Sequence, residues 1–172
     1  APSANASGRV SPTKAEHVLA SLDGRVALVI DDGATRAGVE STIARVKDGA
    51  AEMLRPGPVT AAMLGAASGL PVTGVAGPEI VAPGMLASHY APGKPVRLGA
   101  HDFAADEYGI GFGALAGDYN LSAAGDLTEA AAHVFAAVPA GAASATPRIA
   151  VAAIPADGLG AAINDRLARA AV

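Results

Sequence analysis

Apolar residues along this chain fall into short blocks whose spacing switches between helical and strand periods. Residues 13–22 put Ala15, Val18, Leu19 and Leu22 on one helical face, and Asp23-Gly24 ends that helix. Residues 25–30 form a run rich in β-branched side chains, predicted to be a buried strand leading into Asp31-Asp32-Gly33. Residues 39–46 alternate well enough for a second strand, Lys47-Asp48-Gly49 turns the chain, and residues 52–55 supply a third. Pro56-Gly57-Pro58 then breaks the chain before a short helix capped by Thr60. The pattern restarts at Val96, with strand candidates at residues 96–98 and 108–112. Asp126-Leu127-Thr128-Glu129 opens a helix presenting Leu127, Ala131, Val134, Phe135 and Val138. Residues 149–154 read as a buried strand, and residues 159–171 as a helix with Leu159, Ile163 and Leu167 spaced by four. There is no internal repeat. The order of elements predicts an α/β chain whose second unit is a small parallel, Rossmann-like sheet.

Composition divides the same chain into three. Residues 1–70 hold the first α/β unit, residues 71–95 are a Pro- and Gly-rich linker, and residues 96–172 hold the second unit. A linker of that length exceeds an ordinary connection and suggests a functional segment. Apolar residues make up 51% of the chain, but many are Ala, and no aromatic precedes Tyr90. The first unit must therefore pack with side chains that bury little area each. No apolar run approaches the roughly 20 residues that span a bilayer, and no signal-peptide pattern is present. The lack of Cys excludes disulfides and thiolate metal sites. Residues 1–97 carry nine Lys/Arg against eight Asp/Glu, a balance of +1, whereas residues 98–172 carry three against eight, a balance of −5. An acidic second unit is a poor electrostatic match to an RNA backbone.

The candidate chemistry sits in polar islands. Residues 1–13 offer Ser3, Asn5, Ser7 and Ser11 on a chain broken by Pro2 and Pro12 and kept compact by Gly8. Thr13 with Glu16 fits a capping box, which would gather backbone N–H groups into an anion site. The same composition also fits a solvated loop. The four His residues stand apart in sequence, which favours helix-surface or loop roles for His17, His101 and His133. Residues 109–113, Gly-Ile-Gly-Phe-Gly, lack the third-Gly spacing of a dinucleotide fingerprint and read as a strand and turn. No Walker A sequence occurs, and no residue set forms a catalytic triad or metal site.

Three further islands follow the first loop: Gly38-Val-Glu-Ser-Thr-Ile43, Leu54-Arg-Pro-Gly57 and Ala82-Pro-Gly-Met-Leu-Ala-Ser-His-Tyr-Ala-Pro92. Behind a loop of the form SAN-x-SG-x-x-SPT, and in that order, they resemble the threonylcarbamoyl-AMP synthases. These are YrdC-like tRNA-modification enzymes, here in the long form with a C-terminal accessory domain. The resemblance implies the C-terminal half of a YrdC-like twisted-sheet domain, then a linker that acts as a lid, then a Rossmann-like accessory domain. It implies ATP-dependent joining of bicarbonate and L-threonine, with Mg2+ entering on ATP. The product would pass to a downstream tRNA threonylcarbamoyl transferase, so tRNA is an indirect partner, no membrane is involved and the location is cytoplasmic. Carried over by position, Ser3, Ser11, Arg55 and Tyr90 would bind ATP, the main chain at Ala1 and Ser41 would bind threonine, and Asn5 and His89 would support them. The resemblance also implies that the front half of the catalytic domain is missing, so that residues 1–172 alone would be inactive. Asp32 departs from the family's usual Gly and would need a small local adjustment. Two alternatives stay open. One is a carbamoyl transferase with a YrdC-like domain, whose hydrogenase-maturation versions carry Cys-rich zinc motifs. The other is a non-catalytic double-stranded RNA-binding module, which an acidic chain without aromatic–basic clusters disfavours.

Overall fold

The computed structural model of the chain describes residues 3–6, 11–74 and 91–171. Its first half is built on a three-stranded sheet. Strands β1 (Ile43–Lys47) and β2 (Ala50–Arg55) form an antiparallel hairpin, and β3 (Val72–Gly74) runs parallel to β2. Asp48 and Gly49 turn the hairpin with positive φ values of 50° and 76°, as a two-residue loop between twisted strands requires. Helix α2 (Ala61–Ser68) connects β2 to β3. Thr60 caps it by accepting from Met63 N–H, and Gly69 closes it in the left-handed conformation. Thus β3 lies within the stretch that composition assigns to the linker, and the sheet extends beyond residue 70.

Two local expectations fail here. Residues 25–30 form no strand: Leu28 is 77% exposed and Ile30 86%, because no described strand lies beside them to complete a ladder. Helix α1 (Ala15–Leu22) starts at Lys14 rather than Thr13, so Thr13 and Glu16 are one position out of register for a capping box. His17 takes over that task, its Nδ1 accepting from Thr13 N–H at 3.3 Å. The expected apolar face of α1 holds no fully buried residue. Asp32 does not take a positive φ. Gly33 takes the positive φ of 87°, and its N–H meets Asp31 Oδ1 at 2.9 Å.

The second half forms the expected parallel sheet. Strands β4 (Val96–Ala100), β5 (Glu107–Gly111), β6 (Tyr119–Asn120) and β7 (Arg148–Ala152) lie in the order β4-β7-β5-β6, all parallel. Helix α3 (Leu127–Ala143) packs on β5 and β7, and α4 (Leu159–Ala170) packs on β4 and against α3. Ile110, Leu121, Val134, Phe135, Val138, Ile149, Val151, Ile163 and Leu167 fill the space between. Strand β6 is only two residues long, too short to leave a periodic signal. The glycines of residues 109–113 serve close packing: a Cβ on Gly109 would lie 2.7 Å from the Phe103 ring, and one on Gly111 would lie 2.2 Å from Leu115 O.

Polar anchors fix this unit at its ends. Asp126 Oδ1 accepts from Thr128 and Glu129 N–H at the start of α3. The Glu129 side chain does not return directly; it accepts from Ser122 Oγ, and that oxygen accepts from Asp126 N–H at 3.0 Å. At the other end Lys94 Nζ donates to Gly141 O and Ser144 O, placing a cation where the helix dipole favours one. Across the sheet, Arg97 of β4 reaches past β7 to give both carboxylate oxygens of Glu107 a hydrogen bond, at 2.9 and 2.7 Å. Those bonds, with a third from Ala104 N–H, hold the Glu107 carboxyl down at about 2.

A carboxylate whose folded pKa is depressed stabilises the fold above its ordinary value near 4.5, and that contribution disappears as pH falls through about 2. The Tm of Glu107→Gln should therefore lie below wild type at pH 6, with the gap closing between about pH 4.5 and about pH 2. Thermal melts by circular dichroism across that range check this; a constant gap would mean that charge is not what Glu107 contributes.

Candidate substrate site

Gly38, Val39 and Glu40 tie the two halves together, and Ser41 and Thr42 anchor the same strip within the first half. Gly38 has φ 64°, and its Cα lies so near α3 that an added Cβ would fall 2.1 Å from Ala131 O. Val39 packs against the apolar core of the second half. Glu40 accepts from Ser11 Oγ through Oε1 and from Arg166 Nε through Oε2, both at 2.7 Å. The carbonyl of Ser41 accepts from Arg55 Nε and Nη2 at 3.0 and 2.8 Å. Thr42 Oγ1 donates to Val59 O and accepts from Val59 N–H. Gly57 lets the Pro-rich turn lie on this strip, since a Cβ there would meet Thr42 N at 2.5 Å.

These contacts enclose a cavity of about 440 Å³ at the seam between the halves. Ser3, Ser11, Thr13 and Thr35 line it from the opening loops, Glu40 and Ser41 from the strip, and Arg55 from the end of β2. Phe135 of α3 closes it from the second half. An adjoining hollow of about 550 Å³, with His17 and Arg25 in its lining, shares Ser11 and Phe135 as a common wall. The volume is within the range of small-molecule sites. The lining mixes hydroxyls and apolar side chains with the Glu40 carboxylate and one arginine fork, and the fork is the part suited to an anionic group. Among the described residues, no cluster of three or more His, Asp or Glu is placed to hold a metal. No described helix is long and apolar enough to cross a membrane.

Four residues singled out from sequence, Ser3, Ser11, Ser41 and Arg55, thus line one cavity. Asn5 does not line it; its Nδ2 donates to Ala6 O, and Ala6 N–H is held by Ser21 Oγ, so it shapes the loop instead. Ala1, His89 and Tyr90 lie outside the described residues, as does most of the segment 82–92. Sequence reasoning passed over Glu40, Phe135 and Arg166. Glu40 stood next to Ser41 in a motif already singled out, Phe135 was read only as part of a helix's apolar face, and Arg166 fell outside the apolar spacing of its helix and drew no role.

Fold and site together define an α/β protein of two sheets with a small-molecule cavity between them. The chain belongs to the threonylcarbamoyl-AMP synthase family: residues 51–172 match the model described as "Threonylcarbamoyl-AMP synthase, C-terminal domain", and residues 1–57 match one described as "Telomere recombination". The threonylcarbamoyl-AMP synthase of Bacillus subtilis is 45% identical over 103 residues, 57% of this chain and 30% of that protein. The Pyrococcus abyssi enzyme is 40% identical over 101 residues, 56% of this chain and again 30% of the relative. The matched stretches therefore span less than a third of these relatives. Among solved structures, P. abyssi Sua5 complexed with L-threonine superposes with a TM-score of 0.81 at 27% identity, covering 99% of this chain and 56% of that one. A variant of P. abyssi Sua5 with a consecutive His and Tyr changed to Ala superposes equally well.

The seam offers a direct test of how the cavity is held. Gly38→Ala adds a methyl that overlaps α3 backbone, whereas Gly49→Ala adds one in open space at a similarly positive φ. The second change should cost about 1–2 kcal/mol for its backbone conformation alone. The first should cost a further 1–3 kcal/mol or so from overlap. Denaturant titration of both variants checks this; equal losses would show that the strip does not press on α3.

Proposed function

We propose that this chain carries part of the ATP and threonine site of an L-threonylcarbamoyladenylate synthase, a nucleotidyltransferase that supplies threonylcarbamoyl-AMP for tRNA modification. The observation that carries the reading is that Ser3, Ser11, Ser41 and Arg55, drawn from three separate motifs, line a single cavity. The names of its relatives support it, as does the L-threonine complex of P. abyssi Sua5.

In this reading threonine's amine takes up bicarbonate as a carbamate with loss of water. A carbamate oxygen then attacks the α-phosphorus of ATP, the bond to the bridging α–β oxygen breaks, and pyrophosphate leaves with Mg2+. The protein makes no covalent bond to either substrate. Its work is alignment and compensation of phosphate charge. Ser3, Ser11 and Arg55 would hold ATP, while Ser41 and the main chain at Ala1 would hold threonine. Tyr90 would cover the nucleotide, with His89 fixing the segment behind it. These two form the chain's only consecutive His–Tyr pair, the kind of pair replaced in the solved Sua5 variant. Shielding matters because the carbamate and the mixed anhydride are both water-sensitive. The product would go in the cytoplasm to a tRNA threonylcarbamoyl transferase.

The protein as its gene encodes it should release pyrophosphate from ATP only when threonine and bicarbonate are both present. Release indifferent to threonine would refute the reading. Arg55 gives a sharper test, because it grips the Ser41 carbonyl while facing the cavity. Losing a charge-assisted bond of about 1.5–3 kcal/mol should weaken ATP binding roughly 10- to 150-fold in Arg55→Ala. Threonine affinity should fall with it, since Ser41 loses its support. Arg55→Lys should recover only part of both, keeping the charge without the fork. Calorimetric titration with each ligand checks this, and unchanged affinities would return Arg55 to a structural role.

A further inference from the structure

We propose that Arg166 is a positioning residue for the substrate site, acting through Glu40 to fix the hydrogen-bond polarity of Ser11. The proposal rests on the function proposed above and specifies one contact within it. Arg166 is 2% exposed and lies on α4, 126 positions from Glu40. Its three nitrogens are directed to three places: Nε to Glu40 Oε2, Nη2 to Pro56 O at 3.0 Å, and Nη1 to Asp165 Oδ2 at 2.6 Å. Asp165 is held in turn by Arg169 Nη2 at 2.8 Å. Glu40 meets this guanidinium as a carboxylate partner, with one donor on each oxygen, and a carboxylate can only accept hydrogen bonds.

The consequence falls on Ser11. Its 2.7 Å bond to Glu40 Oε1 must use the hydroxyl proton, because Glu40 has none to give. Ser11 therefore presents only lone pairs to the cavity it lines. A phosphate oxygen, itself an acceptor, gains nothing there; the ligand atom opposite Ser11 is an N–H or O–H donor, such as an exocyclic amine or a sugar hydroxyl. Arg166 thus takes part in ligand recognition without touching the ligand, and it also holds the carbonyl of Pro56, next to Arg55 in the chain.

A double-mutant cycle on the protein as encoded separates this from a merely structural role. Ser11→Ala and Arg166→Met should each raise the KM for ATP about 3- to 10-fold, the scale of one hydrogen bond. The double variant should be no worse than the weaker single, because Arg166 acts through Ser11. Arg166→Lys, which keeps a cation opposite Glu40, should recover part of the affinity even though its Tm stays lowered. Glu40→Gln provides a milder variant of nearly unchanged shape if Arg166→Met does not fold, and should also be non-additive with Ser11→Ala. Replacing ATP by a nucleotide in which the donor opposite Ser11 is removed should abolish the Ser11→Ala effect for one such analogue. Multiplying effects in the double variant, or a lowered Tm with unchanged KM in Arg166→Met and Glu40→Gln, would overturn the proposal. Wild-type protein that does not turn over ATP with threonine would instead refute the underlying function.

Discussion

The contact on which the two halves depend is the buried ion pair between Arg166 and Glu40. Side-chain exposures of 1% and 12% mean that both charges have lost most of their hydration. That loss is tolerable only because the pair is short and the remaining guanidinium donors also find oxygens, on Pro56 and Asp165. Such a pair adds little net stability over an apolar contact, but removing one partner strands the other, at a cost of about 3–5 kcal/mol. Its value is register. A salt bridge with three directed donors accepts one placement of α4 against residues 40 and 56, where an apolar patch would accept several.

The first half needs that placement more than the second. Among the described residues, its fully buried apolar side chains are Ala51 and Leu54, whereas the second half has a continuous core from Ile110 to Ala170. An aromatic-free stretch of small residues buries too little area to hold its loops rigid by itself. Gly38 against α3, Val39 in the core and Glu40 on Arg166 lend it the rigidity of the neighbouring unit. The cavity forms along this border, so its walls come from both units. A cavity at the seam has a shape that depends on how the units dock, which a cavity within one sheet would not have.

Much of the scaffold was legible from local chemistry. Asp48-Gly49 had to turn, Thr60 and Asp126 had to cap, and the 3.6-residue spacing of α3 and α4 could bury only one face. Where a partner outside the segment decides the outcome, the pattern misleads. Residues 25–30 have strand chemistry yet pair with no described strand, and β3 hides in a stretch whose prolines and glycines read as linker. Thr13 missed its cap by one position, a shift that short-range signals do not resolve.

The site divides in the same way. The short polar motifs marked out Ser3, Ser11, Ser41 and Arg55 only through their resemblance to a family, because their local composition fits ordinary loop, strand and surface positions as well. Only the tertiary structure decided what each does to its neighbours: that Arg55 holds a carbonyl, that Ser11 donates its hydrogen bond to Glu40, and that Arg166 holds the other oxygen of that carboxylate. The reason is range. Turn and cap preferences act over a few residues and are written in the local sequence, whereas the direction of a hydroxyl proton depends on a charge 155 positions away that only folding brings near.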